Sequence, residues 1–135
     1  MGALGKRAHR ARFVALALGT IAVGLAVHLK GGALGADVRD VLGDALWAMM
    51  IAWWVGALVP DVRRATRGAV AYVICVCVEV SQRYHTPALD ALRGTRLGHL
   101  VLGSGFDWRD LVAYAVGVAA AMLLEQTVIP KREAA

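Results

Sequence analysis

Four apolar runs, at 13–29, 41–59, 68–84 and 108–129, take up more than half of this chain. Each is about seventeen to twenty-two residues long, close to the roughly twenty that an α-helix needs to cross the hydrocarbon of a bilayer. A backbone in hydrocarbon must satisfy its own hydrogen bonds, and a helix does so within one segment. The expected fold is therefore an all-α, polytopic membrane bundle of four spans, a single membrane domain over 1–135. Composition agrees: 59% of residues are hydrophobic and mean hydropathy is +0.57, against roughly 45–50% apolar in a soluble domain. A soluble chain this small has too large a surface fraction to hide so much apolar area.

The punctuation between runs supports these boundaries. A basic head, Lys6, Arg7, Arg10 and Arg12, precedes the first run. That run is long for a cleaved leader, so it is expected to stay, with cleavage after Gly35 or Ala36 as the alternative. The second run ends at Pro60-Asp61, with Trp53 and Trp54 toward that end, where interfacial aromatics belong. Arg63, Arg64 and Arg67 lead into the third, and His85-Thr86-Pro87 breaks it. Asp107 and Asp110 begin the fourth, where the helix dipole favours carboxylates. Pro130-Lys131-Arg132 ends it, and Glu125 is expected to snorkel toward Lys131 or Arg132. Cys75 and Cys77 point about 200° apart on a helix, which excludes a bridge between them and suits packing.

The formal charge is +5. Most cations flank apolar runs, and no recognition motif accompanies them, so no nucleic-acid partner is expected. They read instead as topology signals. With the N-terminus in the cytoplasm, Lys6, Arg7, Arg10, Arg12, Arg63, Arg64, Arg67, Lys131 and Arg132 lie inside. Lys30, Arg39, Arg83, Arg93, Arg96 and Arg109 lie outside. Nine against six favours both termini inside.

Four of the six outside cations fall in 79–110, a segment of acids, arginines and histidines between lipid-soluble spans. Charge at the border of a span is costly and tends to be functional, which puts the site here. Helical 3-4 spacing gathers Tyr72, Cys75, Glu79 and Gln82 on one face of the third span. It gathers Asp107, Asp110, Tyr114, Gly117 and Ala121 on one face of the fourth, and Thr20, Gly24 and His28 on the first. These faces should turn inward, with Asp44 at the same depth on the second span. The polar segment 85–107 is expected to form a re-entrant or interfacial element, with a sharp turn at Gly103-Ser104-Gly105.

Three roles are open, besides a purely structural ion-pair network with Glu79–Arg83 and Asp90–Arg93 at helical spacing. Arg83, Arg93 and Arg96, with Gly103, Ser104 and Gly105, could hold an anionic lipid or polyprenyl-phosphate head group, since guanidinium forks suit phosphate and glycine admits backbone N–H groups. Gln82, Asp90, Asp110 and Tyr114 would support them. Glu79, Asp44 and Asp107 could instead form an acid–base set acting on a lipid-borne substrate. Third, the apolar exterior and four tryptophans could dock a larger membrane complex as an accessory subunit. His28, His85 and His99 lack metal-ligand spacing, and no metal or cofactor is expected.

The run GDALWA at 43–48 and VEVSQRYHTPALDALRGTRLGHLVLGSGFDWRDLVAYAVG at 78–117 resemble a bacterial family of small integral membrane proteins, the DUF2809 type. The E-x-x-Q, L-D-A-L-R and G-S-G-F-x-W-x-D elements carry the resemblance. More distantly, Glu79-x-x-Gln82 with Asp110 and Gly117 is similar to the VanZ-like proteins, associated with the cell envelope and low-level teicoplanin resistance. The resemblance implies a four-helix protein of the bacterial inner membrane. It also implies an important polar cluster at Asp44, Glu79, Gln82, Asp90, Arg93, Arg96 and Asp110. It brings no activity with it, and the arginine-rich arrangement of VanZ is not in register here.

Overall fold

A computed structural model describes residues 2–102 and 106–130, and those residues are helical with short connections. The helices are α1 (Ala3–Lys30), α2 (Ala36–Leu58), α3 (Arg64–Ser81), α4 (Pro87–Arg93), α5 (Arg96–Leu102) and α6 (Trp108–Val128). A 3-10 turn, Gly31–Leu34, joins the first two, and Gly35 follows with φ +82°, a left-handed conformation that only glycine adopts without strain. Val59 to Arg63 turn the chain between α2 and α3. Thr86 caps α4 by accepting the Leu89 N–H at 3.2 Å, and Pro87 takes the first helical position, where no N–H is needed.

Three helices are long and apolar enough to cross a membrane: α1 with its 3-10 extension, α2 and α6. At 1.5 Å per residue, α2 and α6 reach about 35 and 32 Å, matching a hydrocarbon core of roughly 30 Å. The fourth expected span, 68–84, corresponds to α3, which starts four residues earlier and stops at Ser81. Arg64, Arg67 and Glu79 set α3 apart from the other three in composition, yet it packs alongside α2 and α6 as their antiparallel neighbour. The polar segment 85–107 holds two short helices, α4 and α5, packed on each other.

Small residues let the backbones meet, as expected where helix association rests on close packing. Ala48 and Ala71 are fully buried, and Gly117 lies so close to the Ala45 carbonyl that a Cβ there would collide with it. One core cluster joins Ala48, Val55, Ala71, Cys75, Tyr114 and Val118 at the centre. A second joins Phe13, Ala17, Trp53, Ala57, Ala121 and Ile129 near the N-terminus of α1. Leu18, Val23, Val70, Val73, Val112, Val116 and Leu123 face outward, a distribution suited to acyl chains and poor for water.

Three side-chain expectations change. Trp53 is a core residue at 1% exposure, donating its indole N–H to Thr20 Oγ1 at 3.1 Å, so it does not anchor an interface. Cys75 is buried but Cys77 is exposed, because a two-residue step turns it to the opposite face. Glu125 points across the bundle to Arg67, whose guanidinium donates at 3.3 and 2.5 Å, with Arg64 Nε at 3.7 Å. Lys131 and Arg132, its expected partners, lie outside the described residues.

Candidate functional site

Alternating helix directions bring one set of ends together. The C-terminus of α1, the N-terminus of α2, the C-terminus of α3 and the N-terminus of α6 meet at what we term the distal end. They surround a cleft of about 650 Å³. Thr20, Gly24 and His28 supply one wall as the seam of α1. Asp37, Asp40 and Asp44, at 3-4 spacing on α2, supply another, and Asp110 and Tyr114 enter from α6. Ile21, Leu25, Leu46 and Met50 make the remaining surface of α1 and α2 apolar.

Glu79 ties α3 to α6 beneath this cleft. It is fully buried, and its two oxygens are separately engaged. Oε1 accepts the backbone N–H of Asp107 at 2.8 Å, and Oε2 accepts the Tyr114 hydroxyl at 2.8 Å and the Gln82 amide at 3.4 Å. Asp110 is the neighbour of both Glu79 and Asp44, so carboxyls from three helices gather here. The Asp107 side chain is engaged separately at the rim of the cleft: it caps α6 by accepting the Arg109 N–H at 3.0 Å. The Tyr72 hydroxyl adds a further α3–α6 tie, donating to the Leu111 carbonyl at 3.2 Å.

The arginines divide by surroundings. Arg93 is 7% exposed and donates to the carbonyls of Ser81 at 2.9 Å and Tyr84 at 2.7 Å, with Asp90 Oδ1 at 3.5 Å. It thus satisfies the free carbonyls at the end of α3 and docks α4 there. Arg83 lies over the Phe106 ring, 4.3 Å from its centroid, and does not take the expected pairing with Glu79. The Asp90–Arg93 pair does form, at 3.5 Å, and the His85 ring approaches Asp90 at 3.1 Å. Arg96 is exposed on α5. Gly103, Ser104 and Gly105 lie outside the described residues.

The arginines that line the cleft are Arg39 and Arg109, together with His28 and His99. The sequence marked Arg109 only as one cation of the 79–110 segment, and it passed over Arg39, Asp37 and Asp40. The helical spacing of 37, 40 and 44 would have found the two aspartates. Nothing local marks Arg39, and the charged segment marks Arg109 without its direction, since the place of both depends on how α2 and α6 cross. Five aspartates face two arginines and two histidines in the lining. Such a surface can accept hydrogen bonds from hydroxyl or ammonium groups, and it can offer forked donors to one anionic group.

The family described as "Protein of unknown function (DUF2809)" matches residues 35–118, a stretch running from α2 through the distal carboxyls into α6. The chain belongs to that family. No solved structure matches it.

Proposed function

We propose that this small helical membrane protein binds the polar head of a membrane amphiphile in the distal cleft. Arg39 and Arg109 would take an anionic group such as a lipid or polyprenyl phosphate. The aspartates of α2 and α6 would accept hydrogen bonds from the rest of the head. The supporting observation is the cleft itself, whose lining is polar at one end and apolar along α1 and α2. On this reading Arg93 and Arg83 act indirectly, by fixing the 85–107 segment against α3 and Phe106. The distal end faces outward from the bacterial cytoplasm, following the cation count, and the distant likeness to envelope-associated VanZ proteins points the same way.

Native mass spectrometry after mild extraction tests the reading. An Arg39→Ala/Arg109→Ala variant should lose co-purifying anionic lipid that wild type keeps. Arg93→Ala/Arg96→Ala should keep more of it than the cleft variant. Identical lipid content in wild type and the cleft variant would refute head-group binding.

A second reading, acid–base chemistry on such an amphiphile, is favoured by one observation. Asp110 stands between Asp44 and Glu79, and Glu79 accepts the Tyr114 hydroxyl. Two carboxyls bond to each other only where one holds a proton, so the chain could store one and pass it on. This reading expects Asp110→Asn to retain bound lipid while abolishing turnover. Unchanged turnover would remove Asp110 from the chemistry.

A further inference from the structure

On the outer surface of the bundle, α2 and α6 flank a second, open hollow of about 260 Å³, lined by residues that include Val41, Ala45, Trp108, Val112, Val116 and Arg109. Its lining is hydrocarbon apart from Arg109. Trp108, Val112 and Val116 recur every four residues, so the hollow runs along α6 for roughly 12 Å at 1.5 Å per residue. Val41 and Arg109 line both this hollow and the distal cleft. The two spaces therefore adjoin, polar at the end of the bundle and apolar along its side.

The geometry points to this groove as the seat of the acyl or prenyl tail of the same amphiphile whose head occupies the cleft, an inference that rests on the head-group reading. Three observations select a single hydrocarbon chain as occupant. The hollow, at about 260 Å³, is too small to seat a packed helix, whose diameter is about 10–12 Å. It runs parallel to the helix axes, the direction of lipid tails when α2 and α6 cross the bilayer. It starts beside Arg109, which would stand at the junction of anionic head and apolar tail. A tail gains little by leaving other tails for an apolar groove, because both surroundings are hydrocarbon. The groove therefore orients the molecule and selects its chain, while the head supplies the affinity.

The test uses the full chain in nanodiscs and a lysophosphatidylglycerol with a photoactivatable diazirine in its acyl chain. Adducts at Ala45, Val112 and Val116 should exceed, several-fold, those on the equally lipid-facing Val70 and Val73 of α3. The excess should vanish in Arg39→Ala/Arg109→Ala. It should also vanish in Val112→Trp, which fills the groove at an exposed position that tolerates bulk, while the amount of probe retained in native mass spectrometry stays the same. Equal labelling of both faces with retained probe would overturn the tail assignment and leave head-group binding standing. Excess labelling that persists in the arginine variant would overturn both. Persistence in Val112→Trp would overturn the tail assignment alone.

Discussion

Two buried carboxylates, Glu79 and Glu125, show how differently one residue type is held at the two ends of the bundle. Glu79 relies on neutral donors, Tyr114, Gln82 and a backbone N–H, whereas Glu125 takes the fork of Arg67. Arg67 is further held by the Val62 carbonyl, which its Nε–H reaches at 2.9 Å, and by the Phe13 ring at 5.1 Å. Removing one member of a buried pair strands the other charge, at about 3–5 kcal/mol. Arg67→Met should therefore lower the unfolding midpoint in detergent markedly, and Arg67→Met/Glu125→Leu should recover most of the loss. A double variant no more stable than the single one would mean the pair is not the cause. At Glu79 the expected loss is smaller. Tyr114→Phe removes one donor and should lower stability by roughly 0.5–1.5 kcal/mol, while Glu79→Ala strips the partner from the buried Tyr114 hydroxyl and from the part-buried Asp107 N–H and should lose more. The sequence marked Glu79 through its face-sharing neighbours on α3. It misplaced Glu125 because Arg67 is 58 residues away, and spacing along a helix says nothing about partners on another.

At the scale of the helices, apolar run length gave α2 and α6 to within a few residues at most ends, since a span's length follows from the bilayer it must cross. It underestimated α1, whose basic head Lys6, Arg7, Arg10 and Arg12 is helical too, because charge ends an apolar run without ending a helix. The inward faces of α3 and α6 were largely legible from 3-4 spacing: Cys75, Glu79, Gln82, Tyr114, Gly117 and Ala121 are buried and Tyr72 and Asp110 partly so, while Asp107, at the cap of α6, is exposed. How α2 crosses α6 was not legible, and that crossing decides which arginines reach the cleft and where the groove opens. It depends on Gly117 against Ala45. Gly117→Leu should force the two helices apart and destabilise by about 1–3 kcal/mol, the usual range for overpacking. Gly19→Ala, where a new Cβ meets nothing within 4 Å, should leave the midpoint level or raise it through better helix propensity. Thermal unfolding of both in the same detergent separates a packing requirement from a general sensitivity to losing glycine. If Gly117→Leu unfolds no earlier than wild type, the tight crossing does not hold the bundle together.

Over the whole molecule, charge is arranged in opposite ways at the two ends. The end that carries the N-terminus of α1 presents Lys6, Arg7, Arg10 and Arg12 beside Arg63 and Arg64, with Lys6 near Asp61 at 3.5 Å. The distal end sets its arginines among aspartates or against carbonyls and Phe106. Positive-inside bias counts cations near span ends and largely ignores acids, so the basic end should lie in the cytoplasm even though the distal end also holds arginines. Single cysteines test this in a Cys75→Ala/Cys77→Ala background, one at Val62 between α2 and α3 and one at the exposed Leu97 on α5. On intact cells a membrane-impermeant maleimide should label the Leu97→Cys chain and spare the Val62→Cys chain until the cells are opened. The orientation also decides supply. With the distal end outside, the amphiphile proposed for the cleft and its adjoining groove would come from the outer leaflet. The reverse labelling pattern would turn the cleft toward the cytoplasm, so an amphiphile made or modified on the inner leaflet would be its ligand and an envelope role would lose its topological basis.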